Sequence, residues 1–264
     1  MELVHGLENW KPVKNPVVTV GSFDGVHAAH KCIIGLLKHE AELIRGNSVL
    51  ITFSPHPRLV LHSFDAYAQR FGLLSTDAEK TELLAKAGLD VLVMVRFDEE
   101  FSKIPYSGFI EKILVEKIGV KKMVVGYNHN FGHNREGSYE QMLDYGRRYG
   151  FAVDRFPEQV VQKQHVSSTR IRQLLEDGNV AQANELLGYA YGLSGVYRNG
   201  ACLVSDPHKL LPGAGSYLVK VKNGAKFNFT VAQLDERLAL PDLHTLAEGE
   251  EIRLSFIKRL HLYA

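Results

Sequence analysis

The chain has 264 residues, 45% of them hydrophobic, with 31 Lys and Arg against 30 Asp and Glu and a formal net charge of +1. That length and apolar content suffice for one large domain, or for a moderate domain followed by a small one. The balanced charge excludes a global field for nucleic acid or an anionic membrane surface, and no apolar stretch reaches the roughly 20 residues of a membrane span.

The opening MELVHGLENWKP carries no basic-then-apolar signal, and Cys32 and Cys202 have neither metal-ligand spacing nor a disulfide framework. A cytoplasmic protein with no nucleic-acid or membrane partner is expected.

The first strong element is PVVTV (Pro16–Val20), short, β-branched and bounded by Pro and Gly, as in a buried parallel strand. A turn, GSFDGVHAAH, covers 21–30. The stretch KCIIGLLKHEAELI then places Ile33, Ile34, Leu36, Leu37, Ala41 and Ile44 at helical spacing, which predicts a helix over 31–44. Further strand-like runs lie at 48–53, 91–95, 122–125 and near 151–156, with helical patterns at 76–87, 106–118 and 136–149 between them. This alternation predicts an α/β fold with a parallel sheet covered on both faces and ligands beyond the carboxyl ends of its strands. Helical patterns follow at 168–176 and 179–187. After Leu187 and Gly188 the runs YGLSGVYRNGACLV, GSYLVKVK, KFNFTV and EIRLSFIKRLHLY read as strands separated by Gly, Asn and Pro. Residues 1–187 are expected to form the first domain and 188–264 a small second one made of strands.

Each loop leaving a strand is a candidate site loop. In the first turn, His27 and His30 at the mouth of a helix suit a phosphate chain, because imidazole donates to phosphate oxygens and helix N-termini favour anions. Capping or solvated histidines are the plainer alternative, and Asp24-Gly25 is also compatible with a simple tight turn. The next strand ends in TFSPHPR, which presents His56 and Arg58 between and after the rigid Pro55 and Pro57; a structural Pro-x-Pro turn would serve equally. The strand MVVGY runs into NHNFGHNREG, where Asn128, Asn130, Phe131 and Arg135 surround glycines. An aromatic flanked by amides suits a planar ring ligand, and an inward-packed Phe131 is the alternative. In HVSSTRIR, Ser167, Ser168 and Thr169 precede and follow a helix start with Arg170 and Arg172 nearby. Capping needs one hydroxyl; three with two arginines suit a second phosphate clamp.

Taken in order, GxFDGxHxxH, TFxPHPR, GxNxxFGxxRxG and SSTRIR closely resemble the bacterial FAD synthetases, bifunctional riboflavin kinase/FMN adenylyltransferases, over about residues 14–190. The resemblance implies a Rossmann-like nucleotidylyltransferase domain followed by a small β-barrel-like domain, the first joining the AMP part of ATP to FMN, giving FAD and pyrophosphate, with Mg²⁺ on the phosphates. It implies catalytic roles for His27, His30 and Asn128, and nucleotide binding by Gly21, Phe23, Asp24, His27, His30, Ser167, Ser168, Thr169 and Arg172. Pro55, His56, Pro57, Arg58, Asn128 and Phe131 would lie on the flavin side.

The chain departs from the family pattern at Ala29, where Gly is usual, and at His129, where an aromatic Phe is usual. In the C-terminal part, no Pro-Thr-Ala-Asn signature stands between GVYRNGACLV and LLPGAGSYLVKV, and little chain follows EIRLSFIKRL. A degenerate kinase-like barrel without riboflavin kinase activity is expected. Two other readings stay open: a nucleotidylyltransferase with another acceptor, and a non-catalytic flavin- or nucleotide-binding regulator.

Overall fold

A computed structural model describes residues 1–61, 71–126, 136–157, 160–161, 164–243 and 246–260. By their internal contacts the residues form two units, Met1–Phe71 with Asp77–Gln159, and Gly72–Thr76 with Val160–Ala264.

The first unit is built on a parallel sheet of β1 (Glu2–His5), β2 (Pro16–Val20), β3 (Asn47–Ser54), β4 (Val91–Arg96), β5 (Lys122–Val125) and β6 (Ala152–Arg155), in the order β1-β4-β3-β2-β5-β6. Its helices are α1 (Ala28–Leu43), α2 (Pro57–Leu61), α3 (Asp77–Lys86), α4 (Glu99–Ser102), α5 (Tyr106–Gly108) and α6 (Tyr139–Tyr149). From α5 the chain passes directly into a π-helical stretch, Phe109–Ile118. β2 is buried throughout and β3, β4 and β5 are buried except at their ends, yet their side chains still alternate between two cores. Val18, Val20, Val49, Ile51, Val91 and Val93 pack on one face with Phe109, Ile110 and Met142. Val17, Leu50 and Leu92 pack on the other with Ile34 and Leu37 of α1 and Leu84 of α3. Helices on both faces explain why these strands read as continuous apolar runs.

Strand order reverses beside β2, which has β3 and β4 on one side and β5 and β6 on the other. Ligands of open α/β sheets sit in the crevice outside such a switch point. The loop leaving β2 is the first turn; Asn128, His129, Asn130, Phe131 and Arg135, which follow β5 in sequence, lie outside the described residues.

The second unit contains the short pair β7 (Val160–Val161) and β8 (Gln164–His165), then α7 (Ser168–Glu176) and α8 (Val180–Leu187). A closed barrel follows from β9 (Gly192–Arg198), β10 (Ala201–Val204), β11 (Gly215–Asn223), β12 (Lys226–Leu234), β13 (Leu238–Ala239) and β14 (Glu251–Leu260). Asn199 and Gly200, at φ 48° and 71°, form the two-residue turn between β9 and β10, the conformation for which Asn-Gly is suited. Residues of α7 and α8, including Ile171, Leu175, Ala183 and Leu187, share one apolar cluster with the barrel residues Leu193, Tyr217, Val219 and Phe256.

The helix expected over 31–44 starts earlier, at Ala28, because His27 caps it. The pattern read at 136–149 becomes helical only at Tyr139, where Ser138 and Gln141 form a reciprocal capping box. Both cysteines are free, and no helix among the described residues is long and apolar enough to cross a membrane.

Candidate active site

The turn after β2 is anchored on the neighbouring strand. The Gly21 N–H donates to the Ile51 carbonyl at 3.0 Å, and the Thr52 hydroxyl donates to the Ser22 carbonyl at 3.1 Å. Thr52 is fully buried, so this bond is shielded from water and fixes where the turn begins. Within the turn, Phe23, Gly25 and Val26 all take positive φ, at 47°, 80° and 36°. Such angles cost a non-glycine residue on the order of 1–3 kcal/mol and concentrate at functional sites. Asp24 is buried, at 3% exposure.

The turn delivers the chain into α1. Nδ1 of His27 accepts from the His30 backbone N–H at 3.3 Å, which caps the helix and leaves that ring's proton on Nε2. The His27 and His30 rings stack at 3.6 Å between centroids, and the Phe23 ring stacks on His30 at 4.4 Å. Burial first, and the neighbouring His27 second, hold the His30 pKa well below the ordinary histidine value. A neutral imidazole beside free helix N–H groups is a hydrogen-bond donor for a phosphate, and an arriving phosphate charge favours its protonation. Lys31, which sequence reasoning passed over, follows in the same helical turn, and burial lowers its pKa.

The TFSPHPR loop leaves β3, next to β2. Its Ser54–Pro55 peptide is cis, and Pro57 opens the short α2. The Arg58 backbone N–H donates to His56 Nδ1 at 3.2 Å. Both side chains gather on Phe71: the His56 ring lies 4.9 Å from it and the Arg58 guanidinium 5.4 Å from its centroid. Pro55 is exposed, whereas His56, Pro57 and Arg58 are half-buried. Phe71 stands more than ten residues from Arg58 in sequence, and no periodicity links them.

In the second unit, the Ser167 hydroxyl caps α7, accepting from the Arg170 N–H at 3.2 Å. Ser168 and Thr169 occupy the first helical turn, half-buried and exposed respectively, and Arg170 is exposed. Arg172 is buried, and its Nε donates to the Gly72 carbonyl at 2.7 Å.

A family profile described as FAD synthetase matches residues 11–170, a span that takes in the β2 turn, TFSPHPR, the 127–135 segment and the start of α7. The chain belongs to the FAD synthetase family. Curated relatives named bifunctional riboflavin kinase/FMN adenylyltransferase support this. The Haemophilus influenzae protein is 30% identical over 261 residues, 94% of this chain and 83% of its own length. The Listeria monocytogenes protein is 29% identical over 253 residues, 91% of this chain and 78% of its own. The Escherichia coli match is 34% identical over 197 residues, 74% of this chain but 62% of the relative. A crystal structure described as a macrolide-efflux protein from Streptococcus pneumoniae shares the fold, with a TM-score of 0.86 at 22% identity over 100% of this chain and 91% of that one.

The strand-to-turn-to-helix unit at 16–43 brings Phe23, His27 and His30 together as a candidate site. Residues that sequence reasoning did not single out there are Thr52, which ties the turn to β3, and Lys31. For Thr52 the only signal was a hydroxyl inside a buried strand; for Lys31 it was a cation beside His30.

Proposed function

We infer that this chain is an FMN adenylyltransferase, transferring the adenylyl group of ATP to FMN. An oxygen of the FMN phosphate forms a bond to the α-phosphorus of ATP, the bond from that phosphorus to the bridging oxygen breaks, and pyrophosphate leaves with the electron pair. The observation that carries the reading is the β2 turn, where two stacked imidazoles stand at a helix N-terminus beside the sheet's switch point in a FAD synthetase sequence.

His27 and His30 are assigned to the ATP phosphates, where donors aimed at charge developing in the transition state accelerate transfer. Gly21, Phe23 and Asp24 shape the adenylate end. Ser167, Ser168, Thr169 and Arg172 form the second phosphate clamp. Pro55, His56, Pro57 and Arg58, with Asn128 and Phe131, are assigned to FMN. Positioning the two phosphates in line is sufficient chemistry, without a covalent enzyme intermediate.

Asp24 is the one carboxylate of the β2 turn, and among the described residues no group of three or more His, Cys, Asp or Glu is arranged to hold a metal ion, a poor setting for so hard a cation as Mg²⁺. We therefore place Mg²⁺ on phosphate oxygens and waters, brought with ATP. When bound it neutralises phosphate charge.

Residues 1–187 are proposed as the adenylyltransferase domain, and 188–264 as a kinase-like barrel that does not phosphorylate riboflavin. The support is local: between β10 and β11 the sequence SDPHKLLPGA replaces any Pro-Thr-Ala-Asn signature. We propose a cytoplasmic setting, where ATP and FMN are available.

The test is incubation of the purified chain with ATP, Mg²⁺ and either FMN or riboflavin, followed by chromatography of the flavins. FAD from FMN alone is expected. Absence of FAD would refute the adenylyltransferase reading, and FMN formed from riboflavin would refute the silent barrel.

A further inference from the structure

The β2 turn places His30 in the middle of three rings. On one side the His27 ring lies 3.6 Å away with 13° between planes; on the other the Phe23 ring lies 4.4 Å away at 28°. Phe23 is itself buried, at 4% exposure, in the cluster that contains Val17, Ile34, Leu37 and Val124. The His30 ring is thereby referred to the core beneath α1. Its Nδ1 is buried and has no hydrogen-bond partner among the described residues. A proton on that nitrogen would be an orphaned donor, costlier to bury than a bare lone pair, so the neutral ring carries its proton on Nε2. His27 reaches the same tautomer by a different cause, its helix cap.

The backbone maintains this arrangement against local preference. Phe23 holds φ at 47° and Val26 at 36°, while the Val26 N–H donates to the Phe23 carbonyl at 3.1 Å. Space is equally specific: a Cβ on Gly21 would stand 3.1 Å from the Phe23 ring. A strained aromatic packed under one imidazole is more than core filling requires.

We propose that Phe23 is a positioning residue for adenylyl transfer, fixing the plane and tautomer of His30 by stacking so that Nε2 is the nitrogen presented to phosphate. This deepens the proposed function and rests on it. The depressed pKa of His30 is in keeping with a half-buried ring clamped between two others with its Nδ1 inward.

The experiment compares the full chain with Phe23→Leu and Phe23→Tyr by imidazole NMR and by FAD-forming kinetics. In the parent protein, His30 is expected to titrate well below ~6.5 and to show the Nε2–H tautomer. Phe23→Leu should bring the His30 midpoint toward the ordinary value, mix its tautomers and lower kcat about 10–100-fold, as expected for a misplaced group. Phe23→Tyr keeps the ring and should restore both readouts. A folded Phe23→Leu protein with unchanged His30 titration, tautomer and kcat would overturn the proposal, as would a loss that Phe23→Tyr fails to rescue. If the parent makes no FAD, the functional reading fails by itself, and the NMR comparison still decides whether Phe23 sets the state of His30.

Discussion

Arg172 and Gly72, a hundred residues apart, are joined by a buried 2.7 Å hydrogen bond from Nε to the glycine carbonyl. Gly72 opens a short run that packs wholly with the second unit. The Leu73 N–H donates to the His208 carbonyl at 2.7 Å, the Leu210 N–H donates to the Leu73 carbonyl at 2.9 Å, and Lys209 Nζ donates to the Leu74 carbonyl at 2.6 Å. Arg172 thus has a structural role besides the phosphate contact assigned to it. Arg172→Lys keeps the charge but not the planar fork, leaving a buried carbonyl poorly satisfied. Urea denaturation should show a loss of about 1–3 kcal/mol. An unchanged midpoint would mean that the bond to Gly72 contributes nothing to the fold.

Gly72 is constrained from the other side as well. A Cβ there would stand 2.5 Å from Leu210 Cδ1, 2.7 Å from its Cβ and 2.9 Å from its Cα, so backbone as well as side chain would have to shift. Gly72→Ala is expected to destabilise the protein by about 1–3 kcal/mol, the usual cost of overpacking. Thermal and urea unfolding measure it, and a variant as stable as the parent would show that this run can move freely.

His30→Ala removes the middle ring of the stack. Turnover of FMN to FAD should fall about 100-fold or more, the scale for loss of a donor aimed at developing charge. FMN affinity, followed by flavin fluorescence, should stay within about 3-fold, because flavin contacts are assigned to the TFSPHPR loop. Equal losses in turnover and affinity would contradict this division of labour.

The depressed His30 pKa gives a signed prediction. Between the folded value and the unfolded ~6.5, the unfolded chain binds more protons than the native one, so stability rises with pH through that window. The contribution of His30 is an added loss of stability on acidification below ~6.5. His30→Asn should narrow the difference in urea midpoint between mildly acidic and neutral buffer. A difference as large as in the parent would place the titration elsewhere.

The strand, turn and helix at 16–43 were legible because each left a local signature. All five residues of PVVTV are buried, and α1 carries its apolar side chains at helical spacing. The start of α1 was misplaced by three residues because a histidine performs the capping usually signalled by Ser, Thr, Asp or Asn. β1 passed unread: of ELVH only Val4 is buried, and the strand exists through its parallel pairing with β4, which has no local sequence signal. At the site, the residue types of the phosphate and flavin loops were readable, but their supports were not. Thr52 beneath the turn, Phe71 between His56 and Arg58, and Gly72 against Arg172 act through contacts distant in sequence. The stacking of Phe23 on His30 was hidden for a different reason, since it depends on left-handed φ angles at Phe23 and Val26 that neither residue type announces.

The most direct measurement is the fate of labelled phosphate from ATP, using one sample labelled at the α-phosphate and one at the γ-phosphate, each supplied with both FMN and riboflavin. Adenylyl transfer carries the α label into the flavin as FAD and releases the γ label in pyrophosphate; this is the expected result. Flavin left without the α label would contradict the adenylyltransferase, and the γ label appearing in flavin would contradict the silent barrel.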